Sequence, residues 1–265
     1  MRYKLGFIGC GNMAQAIAGG AIRKSVLAPR DIIASDPSEA NRAVFAEWGS
    51  EATPDNSDVI TQAEQVLLAV KPQVFPVVAE QFADGPGGQV LISIMAGIPS
   101  KNIADAIGRP CRIIRVMPNT PALVGDGMAG IALGQGAETA DGELAKKLFA
   151  AVGEVVELDE PMIDAINAIS GSGPAYLFYL AEAMERAAAE LGLGDRARQI
   201  VAQTLMGSGR LLAESGEDPA ELRRKVTSPG GTTLAASTHM DEKQVQPAIV
   251  EAIHKAFERA KELGQ

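Results

Sequence analysis

The chain has 265 residues, 46% of them hydrophobic but only 4% aromatic, with a formal net charge of −9. That length can bury one large core or two smaller ones, packed by Ala, Leu, Ile and Val, while the acidic balance argues against a nucleic-acid partner. The two cysteines, Cys10 and Cys111, are too few for a disulfide framework and lack metal-ligand spacing, so each reads as a small buried residue and no metal is expected.

In chain order, the start Met1-Arg2-Tyr3-Lys4 leads into a short strand, Leu5-Gly6-Phe7-Ile8, without the long apolar stretch of a signal peptide. A helix is expected over 13–24, then a strand over 31–35 and a helix over 38–48. Strands over 66–70, 90–94 and 112–116 follow, separated by helical patterns over 73–82 and 100–107. Short strands over 131–133 and 155–158 finish the sheet. Continuous β-branched runs suit strands covered on both faces, and their alternation with helices predicts a doubly wound α/β domain with a mainly parallel sheet. After Asp159 the strand pattern stops. Helix is expected over 162–191, interrupted by a loop-like break at Ser170-Gly171-Ser172-Gly173-Pro174, then over 197–213 and 248–263. Another helix opens at Asp218-Pro219-Ala220-Glu221, with Asp as N-cap, Pro in the first position and Glu three residues past the cap. The chain therefore divides near residue 158, into an α/β part (1–158) and an all-helical part (159–265). No segment reaches the roughly 18 apolar residues of a membrane span, and a cytoplasmic protein is the expectation.

Two segments carry chemistry. The first, Ile8-Gly9-Cys10-Gly11-Asn12-Met13-Ala14, is a Gly-x-Gly-x-x-Ala pattern between a strand and a helix. The first Gly makes the tight turn, the second lets a pyrophosphate approach the backbone, and Ala14 permits close helix–strand packing. Asp36, at the end of the second strand, stands where a carboxylate bonds an adenosine ribose and repels a 2′-phosphate. It would also serve as an N-cap, and Ser35, Ser38 and Arg42 beside it could hold a 2′-phosphate. Either nicotinamide dinucleotide, NADPH or NADH, is compatible with these residues. Ligands of open α/β sheets lie outside the carboxyl ends of strands, and two such ends carry prolines: Ala69-Val70-Lys71-Pro72 and Met117-Pro118-Asn119. Lys71 is either a reach toward a cofactor hydroxyl or phosphate, or an ordinary solvated lysine.

The second segment is Thr227-Ser228-Pro229-Gly230-Gly231-Thr232-Thr233. It joins bare backbone to hydroxyls at what reads as a helix start, with Pro229 suited to the first turn. Amides there lack internal partners and sit at the positive end of the helix dipole, where a carboxylate or phosphate fits.

Taken in order with Val70-Lys71-Pro72-Gln73, Met117-Pro118-Asn119-Thr120-Pro121 and Ser170-Gly171-Ser172-Gly173-Pro174-Ala175-Tyr176, these motifs make the whole chain resemble the pyrroline-5-carboxylate reductase family. The resemblance implies an N-terminal Rossmann domain and a C-terminal helical domain for substrate binding and dimerisation. It implies reduction of 1-pyrroline-5-carboxylate to L-proline with NADPH or NADH, the last step of proline biosynthesis, in a homodimer that assembles further, commonly into a decamer. It also assigns residues. The substrate carboxylate would lie on Ser228 and the amides of Gly230, Gly231 and Thr232, with the Thr233 hydroxyl, the catalytic candidate, near the ring nitrogen. Pro118 and Asn119 would border the reacting carbon. The cofactor would run along Ile8, Gly9, Gly11, Asn12, Met13 and Ala14, beside Ser35, Asp36 and Asn56, with Ala69, Val70, Lys71 and Pro72 under the nicotinamide ribose. Asp36 departs from a strict NADP pattern.

Neither of the two histidines, His239 and His254, is expected to act in catalysis, and Glu221 has a sufficient role in its cap. Two rival readings remain: a hydroxyacid dehydrogenase of similar architecture, which would need a stronger proton donor, and a non-enzymatic dinucleotide sensor, which would need no second anion site.

Overall fold

The apolar runs of the N-terminal part become eight strands of one sheet in a computed structural model, which describes residues 1–264. They are β1 (Tyr3–Ile8), β2 (Ile32–Ser35), β3 (Glu51–Thr53), β4 (Ala63–Leu68), β5 (Gln89–Ser93), β6 (Cys111–Met117), β7 (Gly127–Leu133) and β8 (Gly153–Glu157). Their spatial order is β3-β2-β1-β4-β5-β6-β7-β8. All neighbouring pairs are parallel except β6 and β7. The exception follows from chain length: a parallel return needs a crossover of a dozen or more residues, and only residues 118–126 separate these two strands.

The helices of this part are α1 (Asn12–Arg23), α2 (Glu39–Glu47), α3 (Asn56–Gln62), α4 (Phe75–Glu80), α5 (Ser100–Ile107) and α6 (Gly142–Ala150). They cover both faces of the sheet, as the doubly wound reading expects. On one face Phe7, Leu67, Ile92 and Ile114 pack with Ile17 of α1, Phe45 of α2 and Phe149 of α6. On the other, Ile8, Leu68, Leu91 and Ile113 pack with Val59 of α3, Phe75 of α4 and Ile103 of α5. The alternation of neighbouring strand residues between two apolar layers is the period of two that a β-strand imposes. Truncating a buried Leu, Ile or Phe in either layer to Ala would cost about 2–5 kcal/mol.

Three elements of this part were not expected: β3, α3 and α6. The short, partly exposed edge strand β3 and the polar start of α3, Asn56-Ser57-Asp58, resemble loop in composition. Asp55 caps α3 by accepting from the Ser57 amide (2.8 Å).

The second part is helical: α7 (Ile163–Ile166), α8 (Gly173–Glu190), α9 (Ala197–Ser215), α10 (Pro219–Lys225), α11 (Thr232–Glu242) and α12 (Val245–Leu263). The expected break at 170–174 is not a loop. A π-helical turn, Asn167–Gly171, carries the chain from α7 towards α8. Asp218 caps α10 as expected, accepting from Ala220 N at 2.8 Å. Glu221, however, pairs with Arg224 at 2.7 Å instead of reaching back to the cap.

Two compact units result. One comprises Met1–Ser172 together with the final stretch from Ala256, and the other Gly173–Lys255. Within the first unit, Arg115 on β6 is only 4% exposed and lies 3.4 Å from Glu160 and 3.7 Å from Asp164. Glu160 also accepts from the backbone N–H (2.7 Å) and hydroxyl (2.6 Å) of Ser100. It thereby caps α5, whose preceding residue, Pro99, has no side-chain acceptor. No helix among the described residues is long and apolar enough to cross a membrane.

Candidate active site

Around β1 the chain builds outward to β3 on one side and resumes at β4 on the other, the switch point at which open α/β sheets take ligands. Here Ile8 ends β1 and Gly9 follows with φ +97°. A Cβ on Gly9 would stand 2.8 Å from the Ala69 carbonyl oxygen, so both conformation and space demand glycine. Gly11 is different. A Cβ there would meet no atom within 4 Å, and its φ of −69° suits any residue. Packing does not require this glycine, and its bare backbone leaves room for a ligand to approach. Gly11 caps α1 with no side-chain bond, and no acidic residue occupies the first turn. Asn12 is exposed, Met13 half-buried and Ala14 buried. Bare helix-start amides facing open space fit the pyrophosphate of a dinucleotide.

The neighbouring end of β2 is densely bonded. Asp36 is 9% exposed; its Oδ2 accepts from Cys10 N (2.8 Å) and its Oδ1 from Ser38 N (2.8 Å). Arg42 Nη1 donates to the carbonyls of Asp36 (2.7 Å) and Pro37 (3.0 Å). Ser35 is fully buried, and its hydroxyl lies 2.6 Å from Asn56 Oδ1. The Asn56 amide in turn donates to Gln81 (2.7 Å). Of the five residues expected around the adenosine, Ser35, Asp36, Arg42 and Asn56 thus have protein partners for their side chains, and Ser38 uses its hydroxyl to cap α2 (3.4 Å from Asn41 N).

The expected strand over 66–70 ends early, at Leu68. Ala69 and Val70 lie beyond β4, with the Ala69 amide donating to Ile8 O at 2.9 Å, and Lys71 precedes a 3-10 turn that begins at Pro72. Lys71 is exposed and makes no ion pair among the described residues. Beyond β6, Pro118 is buried. Asn119 accepts from Met128 N (2.9 Å) and donates to the Ser170 hydroxyl (3.1 Å).

In the second unit, residues 228–231 form a turn closed by Gly231 N donating to Ser228 O (3.0 Å). Pro229 sits at its second position and Gly230, with φ +68°, at its third, the arrangement of a type II turn. Pro229 therefore precedes the helix instead of occupying its first turn: the N-cap is Gly231 and α11 begins at Thr232. The Ser228 hydroxyl lies 2.3 Å from where a Cβ on Gly231 would be, so a larger residue there would turn that hydroxyl away from its present position. Ser228, Gly230, Thr232 and Thr233 are all exposed, and no acidic residue stands in the first turn of α11.

Other chemistries find little support. The Cys10 thiol is pushed up to about 12, first by burial and then by the Asp36 charge, so it stays protonated and is a poor nucleophile. His239 is exposed and 3.7 Å from Glu242. No group of three or more metal-ligating side chains occurs among the described residues.

Comparison with known proteins decides the family. Residues 160–263 match the pyrroline-5-carboxylate reductase dimerisation family, and residues 4–97 the family described as NADP oxidoreductase, coenzyme F420-dependent. A pyrroline-5-carboxylate reductase of Synechocystis is 40% identical over 267 residues, covering 100% of both chains. This chain belongs to the pyrroline-5-carboxylate reductase family. Among solved structures of the family, the Coxiella burnetii reductase has a TM-score of 0.91 at 34% identity, covering 100% of both chains. The Plasmodium falciparum enzyme, solved with NADP bound, has a TM-score of 0.86 at 26% identity, covering 99% of this chain and 98% of its own.

As in its family, the chain is an NAD(P)H-dependent oxidoreductase, and its helical part is an oligomerisation region. Exposed apolar side chains there, such as Leu177, Phe178 and Tyr179 on α8 and Met206 and Leu211 on α9, suit contact with another copy. Within this family frame, two connections escaped the sequence reading: the Asp36 carboxylate on the Cys10 amide, and the Asn119–Ser170 pair. Both join residues far apart in the chain, so no local pattern announces them.

Proposed function

We propose that the chain reduces 1-pyrroline-5-carboxylate to L-proline, the last step of proline biosynthesis, in the cytoplasm. The observation that carries this reading is a second anion-accepting backbone. The loop at Ile8, Gly9, Gly11, Asn12, Met13 and Ala14 suits the cofactor's phosphates, which leaves the turn before α11 for a substrate carboxylate. NADPH or NADH, when bound, supplies a hydride for the imine carbon.

Ser228 and the amides of Gly230, Gly231 and Thr232 hold the carboxylate. Thr233, as the catalytic residue, directs its hydroxyl to the ring nitrogen. A protonated imine already carries the charge that attracts hydride, so the protein's task is positioning and polarisation. Thr233 is accordingly an orienter first, since a hydroxyl is a weak acid. Pro118 and Asn119 border the reacting carbon, and Ala69, Val70, Lys71 and Pro72 support the nicotinamide ribose. Asn56 borders the adenosine, held there by the buried Ser35 hydroxyl. In this division of labour, residues 1–158 bind the dinucleotide. Residues 159–265 bind substrate and form a homodimer, five of which assemble into a decamer.

The hydroxyacid dehydrogenase alternative needs a lysine acid near the substrate. Lys225 is the nearest in sequence, and its ammonium is paired with Glu217. Following NADPH and NADH oxidation with 1-pyrroline-5-carboxylate and, separately, with 2-keto acids tests the proposal. Turnover of the imine alone is expected; folded protein inert to the imine would refute it.

A further inference from the structure

We infer that Asp36 is a positioning residue for the pyrophosphate: its carboxylate clamps the glycine loop, in place of acting as the reader of the adenosine ribose. The inference rests on the dinucleotide lying at residues 8–14. A ribose reader needs a carboxylate oxygen turned outward, towards the ligand. In this chain the side chain is nearly buried, and both oxygens already accept backbone N–H groups at 2.8 Å, one from Cys10 and one from Ser38. The Cys10 amide belongs to the peptide that joins Gly9, with its positive φ, to Cys10, one residue before Gly11, beside which the open space lies. Fixing that peptide fixes the direction of the loop amides that follow it.

The clamp is itself held. The Asp36 carbonyl accepts from Arg42 (2.7 Å), its amide approaches the Thr53 carbonyl (3.4 Å), and the Gly9 amide donates to the carbonyl of the preceding Ser35 (2.8 Å). Two backbone donors draw the carboxylate's charge inward, towards the loop. Substituting Asp36 should therefore weaken dinucleotide binding whatever the adenosine ribose carries, because the loss is in the loop's preorganisation. Of the two bonds only that to Cys10 lies in the loop, and loss of one charge-assisted hydrogen bond corresponds to about tenfold in affinity.

The test compares NADH with 2′-deoxy-NADH, which lacks the hydroxyl a ribose reader would bind. Dissociation constants are measured by nucleotide fluorescence for the intact protein and for Asp36→Asn and Asp36→Ser. Both ligands should weaken by about tenfold, the ratio of their constants moving by less than about threefold, and KM for the imine at saturating dinucleotide should stay unchanged. A ratio that moves by more, or no weakening of either ligand, overturns the clamp. A second measurement needs no variant: in cofactor-free protein, the Cys10 amide should exchange its hydrogen at least about tenfold more slowly than the Asn12 amide. Equal rates overturn the clamp even if the variants fail to fold. Failure of the underlying reading looks different, because the unsubstituted protein would then bind neither dinucleotide.

Discussion

In the loop after β1, long-range partners hold the backbone: Gly9 bonds to Ser35, Cys10 to Asp36, and Ala69 closes behind. In the turn before α11, the closing bond is local, Gly231 to Ser228, and the side chains expected to meet a ligand are exposed. Both regions offer helix-start amides to an anion, yet only the first is rigidly framed by a sheet. The contrast suits their proposed tasks. A dinucleotide is long and needs a fixed track, whereas a small imino acid needs one carboxylate seat and one hydroxyl.

Substitutions in the two regions should separate accordingly. The largest effect is expected for Gly9→Ala, where left-handed backbone and a close carbonyl act together: a stability loss of about 3 kcal/mol in urea unfolding, with dinucleotide binding lost. Gly230→Ala has the same kind of φ but open space around it. It should cost only about 1 kcal/mol and raise KM for the imine; equal costs at both glycines would erase the contrast. Thr233→Val keeps the side chain's shape and removes its hydroxyl. The expected result is a fall in kcat of roughly tenfold or more, with the NADH dissociation constant unchanged. An unaltered kcat removes Thr233 from the reaction.

The smallest effect concerns Cys10. Its thiol is raised from 9.0 to about 12, so above pH 9 the unfolded chain loses this proton while the folded chain keeps it. Stability from this group is present below pH 9 and declines as pH rises towards 12. At pH 8 the folded protein should resist alkylation at Cys10, and rapid labelling there by mass spectrometry would contradict the loop's rigidity.

What was legible in the sequence follows the same division. The turn before α11 is written locally in Pro229, Gly230 and Gly231, so its bare, exposed backbone could be read, although the helix starts after the proline and not with it. The strands of the first unit were legible because both faces are apolar; β3 and α3 were not, being short and polar. The reversal of β7 depends on the shortness of the preceding connection, and the π-helical turn at 167–171 looked like loop because Ser170-Gly171-Ser172-Gly173 carries loop residues. Asp36 was seen at the right place, but its bond to the Cys10 amide was not, since only the folded sheet brings the two together.

Gly11→Ala tests the central claim most directly, because its added Cβ meets no protein atom and adopts an ordinary φ. A ligand lying against that backbone is the one thing it would obstruct. The account predicts stability within about 1 kcal/mol of the original and NADH affinity reduced by at least about tenfold, with KM for the imine at saturating dinucleotide little changed. Unaltered NADH affinity in the folded variant would contradict it.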